Sequence, residues 1–219
     1  MSTAIIGVGN IGSTLARLLT DGNERVILAA NDERHARALA VELGPLADAA
    51  SVEGAIKAAD VVVFAVWLDT TRQLISTHSH LLEGKVVVDP SNPIGFDDGG
   101  KLFRTLQDDR SAADEIAALL PPGAHYVKAL GTLSAPSLAS GANREPHPVL
   151  FYATDDEAAA ATAERLIRAI GFEPLRAGGF ADAKRLEAPD GDLHQAALNG
   201  ELVDLNQARA AIATRKGNA

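Results

Sequence analysis

Cysteine is absent from this 219-residue chain, which excludes a disulfide, a thiol nucleophile and a Cys-ligated metal. Aromatic residues make up only 4% of it, with a single tryptophan, so each aromatic near a candidate site is informative. Basic residues are outnumbered, 20 Lys and Arg against 29 Asp and Glu, for a net charge of −9. With no basic stripe to offset that charge, neither nucleic acid nor an anionic membrane is expected as a partner. Long hydrophobic runs are lacking too. The longest wholly apolar stretch, Val61 to Leu68, falls far short of the ~20 residues that span a bilayer. No basic region precedes the first apolar stretch and no small-residue cleavage site follows it, so a soluble, cytoplasmic protein is expected. None of the six histidines has metal-ligand spacing, and no metal is expected. No G-x-S-x-G elbow marks a nucleophilic serine.

What the chain does have is a short apolar run feeding into a glycine signature, Ala4-Ile5-Ile6-Gly7-Val8-Gly9-Asn10-Ile11-Gly12. In G-x-G-x-x-G, Gly7 allows a tight turn out of a strand and Gly9 lets the backbone approach a pyrophosphate. Gly12 lets the next helix pack closely on that strand, and the amino end of the helix attracts the phosphates. Such a motif is weak alone. Its surroundings strengthen it: residues 3–8 read as a buried strand, 13–19 as a helix, 22–23 as a turn and 25–30 as a second strand. A Walker-type loop is excluded, because Ser13 stands where it needs lysine.

Strand-length apolar runs then alternate with helical periods, the pattern of a parallel sheet covered on both faces. The expected fold class is α/β, a Rossmann doubly wound parallel sheet with a small C-terminal β-α-β extension and a terminal helix. Residues 1–135 are expected to form the dinucleotide-binding domain, with 136–219 a smaller acceptor-side region packed on it. Further strands are expected over 60–66, 86–89 and 125–130, and helices over 35–43, 53–59, 70–82 and 111–120. Ser111 and Asp114 form a capping box for the last of these. Residues 90–100 and 135–148 read as loops. A β-α-β unit follows over 149–176, a helix over 193–213, and a frayed tail over 214–219.

In an open parallel sheet, ligands bind beyond the carboxyl ends of the strands where the strand order switches. That rule selects Val8 to Gly12, then Ala65-Val66-Trp67-Leu68, Asp89-Pro90-Ser91-Asn92-Pro93, and Leu130-Gly131-Thr132-Leu133-Ser134. Twenty residues after Gly12 stands Asn31-Asp32-Glu33, where an acidic side chain accepts hydrogen bonds from adenosine ribose hydroxyls. Two carboxylates there disfavour a 2′-phosphate, which favours NAD over NADP, although Arg34 and Arg37 could offset them. Asp32 as a plain helix cap is compatible with either role. Trp67 either walls the nicotinamide pocket or packs against the core or an interface, and Asp89 before Pro90 reads chiefly as a turn-stabilising carboxylate. No general acid or base is evident, so the catalytic residue stays unassigned. Hydride transfer between two flat heterocycles fits that absence, since it depends chiefly on ring distance and angle.

Four segments occur in the order seen in one family: Gly7-Val-Gly-Asn-Ile-Gly12, Arg110-Ser-Ala-Ala-Asp-Glu-Ile116, Val127-Lys-Ala-Leu-Gly-Thr-Leu133 and Glu173-Pro-Leu-Arg-Ala-Gly178. From about residue 3 to 187 the chain resembles the NADP-dependent 8-hydroxy-5-deazaflavin oxidoreductases. These belong to a wider group of small reductases related to pyrroline-5-carboxylate reductase and to the cytoplasmic part of the metalloreductases. The resemblance implies a homodimer that passes hydride between nicotinamide C4 and a deazaflavin or flavin ring. It implies that Gly7, Gly9, Asn10, Ile11 and Gly12 hold the pyrophosphate. Trp67 and Pro93 would border the nicotinamide, and Gly131 and Leu133 the acceptor. Where NADP-using members have Ser and Arg, this chain has Asn31, Asp32 and Glu33, and Gly131-Thr132-Leu133 replaces a His-Thr-Ile pattern. Two other readings stay open. One is a reductase of a small keto or imino acid, with Lys128 the best candidate for its carboxylate, and the other a non-catalytic NAD(H)-binding redox sensor.

Overall fold

The computed structural model describes residues 1–214. The sheet begins with β1 (Thr3–Ile6), whose four residues are all buried, and α1 (Asn10–Asp21) returns across it with Leu15, Ala16 and Leu19 turned inward. β2 (Val26–Ala29) leads to α2 (Glu33–Leu43), which stops at Gly44, where φ is +80°. β3 (Ala47–Ala49), α3 (Val52–Ala58), β4 (Val61–Phe64), α4 (Leu68–His78) and β5 (Val86–Asp89) follow. β4 and β5 are buried at every position, as strands covered by helices on both faces must be.

Pairing places the strands in the order β3-β2-β1-β4-β5, all parallel. β1 therefore feeds β2 on one side while β4 lies on its other side, and the strand order switches between β1 and β4. β8 (His125–Ala129) adds parallel to β5, then β9 (Val149–Ala153) joins antiparallel to β8, and β10 (Glu173–Gly178) parallel to β9. The result is one eight-stranded, mostly parallel sheet. The expected β-α-β unit is present, with α7 (Glu157–Ala169) as its crossover, but it runs opposite to the other strands. Alternation along each strand divides the core between the two faces. On β4, Val61 and Val63 pack in one cluster, while Val62 and Phe64 pack in the other.

Three expectations are corrected. The loop after β5 contains a small antiparallel hairpin, β6 (Ile94–Phe96) and β7 (Leu102–Arg104). Residues 135–148, expected as loop, begin with α6 (Ala135–Gly141), where Ser134 caps the helix and proline occupies its first turn, the one place where proline favours a helix. The terminal helix α8 spans Leu205–Ala213 alone. Ahead of it, Asn199 and Gly200 take φ of +58° and +75°, a left-handed pair that breaks the helix expected from 193. α5 (Ala112–Ala117) does carry the Ser111–Asp114 capping box. Of the tail expected over 214–219, residues 215–219 lie outside the described residues.

Candidate active site

Because β1, β4, β5 and β8 are parallel, their carboxyl ends meet along one edge, with Ile6 opposite Phe64 and Asp89 opposite Lys128. Gly7 takes φ +100°, and a Cβ there would meet Val66 Cγ1 at 2.5 Å and Ala65 O at 2.6 Å. A Cβ on Gly12 would lie 1.8 Å from Gly7 O. These two glycines thus let α1 and the β4 exit close on the β1 turn. Gly9 differs: a Cβ there meets nothing within 4 Å, so its backbone faces open space. It stands at the N-cap of α1 without a side-chain cap, and the first turn holds no acidic residue. Free N–H groups, a positive helix end and an open approach together fit a dinucleotide pyrophosphate.

From this turn a cavity of about 890 Å³ runs along the sheet edge. Gly7, Gly9, Asn10 and Ile11 line one end, Ala65, Val66 and Trp67 the middle, and Asn92, Gly131 and Leu133 the far side. Ten of the expected site residues are thereby brought together. Val8 packs on the core, and Gly12 lies buried under the turn. Pro93 is buried beside the hairpin, its carbonyl accepting from Thr105 N at 2.8 Å. Thr132 is 2% exposed, and its hydroxyl has no partner among the described residues. Asn31, Asp32 and Glu33 sit at the amino end of α2, outside the cavity.

Trp67 is 58% exposed and caps no hydrogen bond, so it is not a core residue. Its indole meets Phe96 edge to face at 6.2 Å and 85°, which leans the hairpin on the cavity mouth. Leu130, at the end of β8, takes φ +66° although it is buried, a conformation costly for a branched residue. The next residue is pressed against the β5 exit: a Cβ on Gly131 would lie 2.3 Å from Pro90 O. Asn92 fastens this corner. Its Nδ2 donates to Gly131 O at 3.0 Å and its Oδ1 accepts from Ala188 N at 2.7 Å. Removing that clamp with Asn92→Ala is expected to cost about 1–3 kcal/mol of unfolding free energy. Urea titration measures it, and a loss below about 0.5 kcal/mol would mean that backbone packing alone holds the corner.

Asp89 does stabilise the turn, since Oδ1 accepts from Ser91 N at 2.8 Å. It is also fully buried and binds two further donors, Tyr126 OH at 2.8 Å and Lys128 Nζ at 2.9 Å. Lys128 reaches Ser91 O at 2.5 Å and Glu187 at 3.3 Å. The Glu187 carboxylate accepts in turn from Ala112 N and Ala113 N. Burial works against the Lys128 cation, yet Asp89 and Glu187 overcome it and push its pKa up. Burial, then Asp89, drives the Tyr126 phenol well above its ordinary value. Lys128 is thus sealed beneath the cavity rather than offered to a substrate.

At the ribose end, Asp32 caps α2 and holds the Arg34 guanidinium through both oxygens, at 3.0 and 2.7 Å. Hydrogen bonds from the Arg34 side chain and then its backbone lower the Asp32 pKa. Glu33 pairs with Arg37. The two carboxylates are therefore locally balanced by two guanidinium groups.

The cavity wall that sequence reasoning missed comes from the irregular segment before α8. His194, Gln195, Ala196 and Gly200 all line it. Gln195 ties that wall to the β8 exit: its N–H donates to Thr132 O at 3.0 Å and its Oε1 accepts from Ser134 N at 3.2 Å. Its Nε2 donates to Ser137 Oγ and Gly200 O. No spacing signal could have shown this, because the partners lie about sixty residues apart in the chain. Among the described residues no cluster of His, Cys, Asp or Glu could hold a metal ion, and no helix is long and apolar enough to cross a membrane.

Residues 2–93 match the family described as NADP oxidoreductase, coenzyme F420-dependent. Among solved structures, a hypothetical protein of Sinorhizobium meliloti is 30% identical, with a TM-score of 0.77 over 86% of this chain and 91% of its own. A protein of Arthrobacter sp. FB24 titled a putative F420-dependent NADP-reductase shares the fold at 24% identity and a TM-score of 0.72, over 83% of this chain and 86% of its own. Metalloreductase STEAP3 of Rattus norvegicus is 29% identical over 84% of this chain, which spans only 35% of that longer protein. The amino-terminal match and the likeness over nearly the whole chain agree with the glycine turn and the cavity beside it: the chain belongs to the family of NAD(P)-dependent oxidoreductases built on this dinucleotide-binding domain.

Proposed function

We propose that this protein transfers hydride between a nicotinamide dinucleotide and a flat acceptor, a deazaflavin or flavin ring, held beside the nicotinamide in the same cavity. The observation that carries this reading is the shape and lining of that cavity. At about 890 Å³ it lies at the upper end of small-molecule sites, with room for a nicotinamide and a second ring. Its lining contains no Asp, Glu, Lys or Arg. A keto or imino acid would need a fixed cation for its carboxylate, and Lys128, the best candidate, is spent on Asp89 and Glu187. A sensor that binds only the dinucleotide has no use for a cavity with room for a second ring beside the nicotinamide. Bound there, the dinucleotide supplies the hydride, while Trp67, Ile94 and Leu102 offer apolar surface to the acceptor.

The proposal extends to the ribose. Asp32 Oδ2 carries one hydrogen bond, to Arg34, and keeps lone-pair capacity for a ribose hydroxyl, so NADH is the preferred form. Calorimetric titration with NADH and NADPH, followed by hydride-transfer assays on 8-hydroxy-5-deazaflavin and FMN, tests both parts. NADH is expected to bind more tightly. A tenfold advantage for NADPH, about 1.4 kcal/mol, would refute the ribose reading. An Asp32→Ala, Glu33→Arg variant, which frees Arg34 and adds a cation, is expected to move the ratio at least tenfold towards NADPH. Failure to reduce either ring with either dinucleotide would sink the acceptor assignment.

A further inference from the structure

We propose that His194 is a catalytic residue of this site, a neutral imidazole whose Nε2–H donates a hydrogen bond to the acceptor ring during hydride transfer. The inference rests on the reading of the cavity as a hydride-transfer site and adds to it the polar group that the sequence did not reveal. His194 lines the cavity on the wall contributed by the segment before α8. Its Nδ1 accepts from the backbone N–H of Ala196 at 3.2 Å. That bond leaves Nδ1 without a proton and places the ring proton on Nε2, because the nitrogen opposite an N–H donor must be the acceptor.

The surroundings keep the ring uncharged. Burial lowers the His194 pKa, since a cation in a poorly hydrated wall is disfavoured. No charged side chain shares the cavity lining. The nearest acidic groups in the chain are already engaged, Asp190 with Arg104 at 3.5 Å and Asp192 with Arg185 at 2.9 Å. Gln195 and Asn92, the two amides nearest the β8 exit, are committed to the contacts described above, while Ser91 Oγ is buried without a partner among the described residues. Among the described residues His194 Nε2 has no hydrogen-bond partner, which leaves the ring a free donor on the cavity wall.

The step balances without using His194 as an acid. In the reducing direction, the hydride brings an electron pair to the acceptor ring, breaking the C4–H bond of the dihydronicotinamide. Negative charge gathers on a ring heteroatom, and the Nε2–H hydrogen bond stabilises it there. The proton that completes reduction comes from water, so His194 keeps its own proton throughout. A donor aimed at developing charge in a poorly hydrated site is strongest in the transition state.

The test combines NMR of the free protein with kinetics using FMN. In ¹⁵N spectra, His194 is expected as the neutral Nε2–H tautomer, titrating below the usual histidine value of about 6.5. His194→Ala is expected to lower kcat for FMN reduction about 100-fold. Calorimetric affinity for NADH and the melting temperature should stay at wild-type values. His194→Gln, which restores a donor, is expected to recover most of that loss, and wild-type kcat is expected to be level from about pH 7 to 8. An Nδ1–H tautomer, an unchanged kcat in His194→Ala, or a kcat that follows imidazolium formation would each overturn the assignment. Should the wild type reduce neither FMN nor 8-hydroxy-5-deazaflavin, it is the proposed function that fails, and the tautomer then decides for or against a neutral donor at His194.

Discussion

Lys128→Met is expected to destabilise the protein by about 3–5 kcal/mol, because it leaves two buried carboxylates without their cation. Asp89 and Glu187 are both fully buried, and Lys128 is the one cation in contact with each of them among the described residues. Methionine matches the length of the lysine stem, so the loss is one of charge rather than of volume. The penalty should also depend on pH in a stated direction. In the variant, one of the two carboxylates gains by taking up a proton on folding. The folded state then binds more protons than the unfolded one, and relative stability rises as pH falls. Guanidinium unfolding at pH 7 and pH 5 measures this: the deficit should be clearly smaller at pH 5. A deficit below about 1 kcal/mol at pH 7 would show that the network is solvated in a way its burial denies. Consequences at the site should follow as well, since Lys128 holds Ser91 O and Glu187 leads into Ala188, both of which touch the cavity.

That network marks where sequence reading reaches its limit. The glycine turn, the buried β4 and the Trp67 exit were all legible, since each depends on local chain geometry or on the rule that parallel strands present their carboxyl ends together. The clamp that Asn92 makes to Gly131 and Ala188 was not, because its partners lie 39 and 96 residues away. Lys128 was visible as a residue but not as a partner, because the direction of a side chain on a strand depends on which neighbour lies beside it. The hairpin over 94–104 escaped because its two strands are three residues each, too short for alternation to show. α6 escaped for the opposite reason: Pro136 reads as a helix breaker anywhere except the first turn, where it stands. His194 had no signal at all. It enters the cavity only because the chain crosses back above β8 after β10, a path set by tertiary packing of Glu187 on α5.

The glycine turn yields the sharpest test of the dinucleotide site, because two of its glycines should fail in different ways. Gly12→Ala puts a methyl group where Gly7 O stands 1.8 Å away, so α1 must move off β1 or the turn must open. Either change separates the helix end from the glycine backbone. Dinucleotide affinity is expected to fall at least 100-fold, about 2.7 kcal/mol, together with a clear loss of stability, since the contact to be relieved is backbone on backbone. Gly9→Ala makes a contrast. Its φ of −70° is open to any residue, and its Cβ meets nothing within 4 Å, so the fold without ligand should lose only the about 0.5–1 kcal/mol that separates glycine from alanine at a helix N-cap. The methyl group would instead occupy the space through which, on the proposed reading, the pyrophosphate reaches the free N–H groups of α1. Affinity should therefore drop by tenfold or more while the urea midpoint moves far less than in Gly12→Ala. Both quantities come from the same two measurements, calorimetry with NADH and NADPH and equilibrium unfolding. If Gly9→Ala binds either dinucleotide as the wild type does, the pyrophosphate does not pass over Gly9. The cavity along the sheet edge would then have to be filled from its other end.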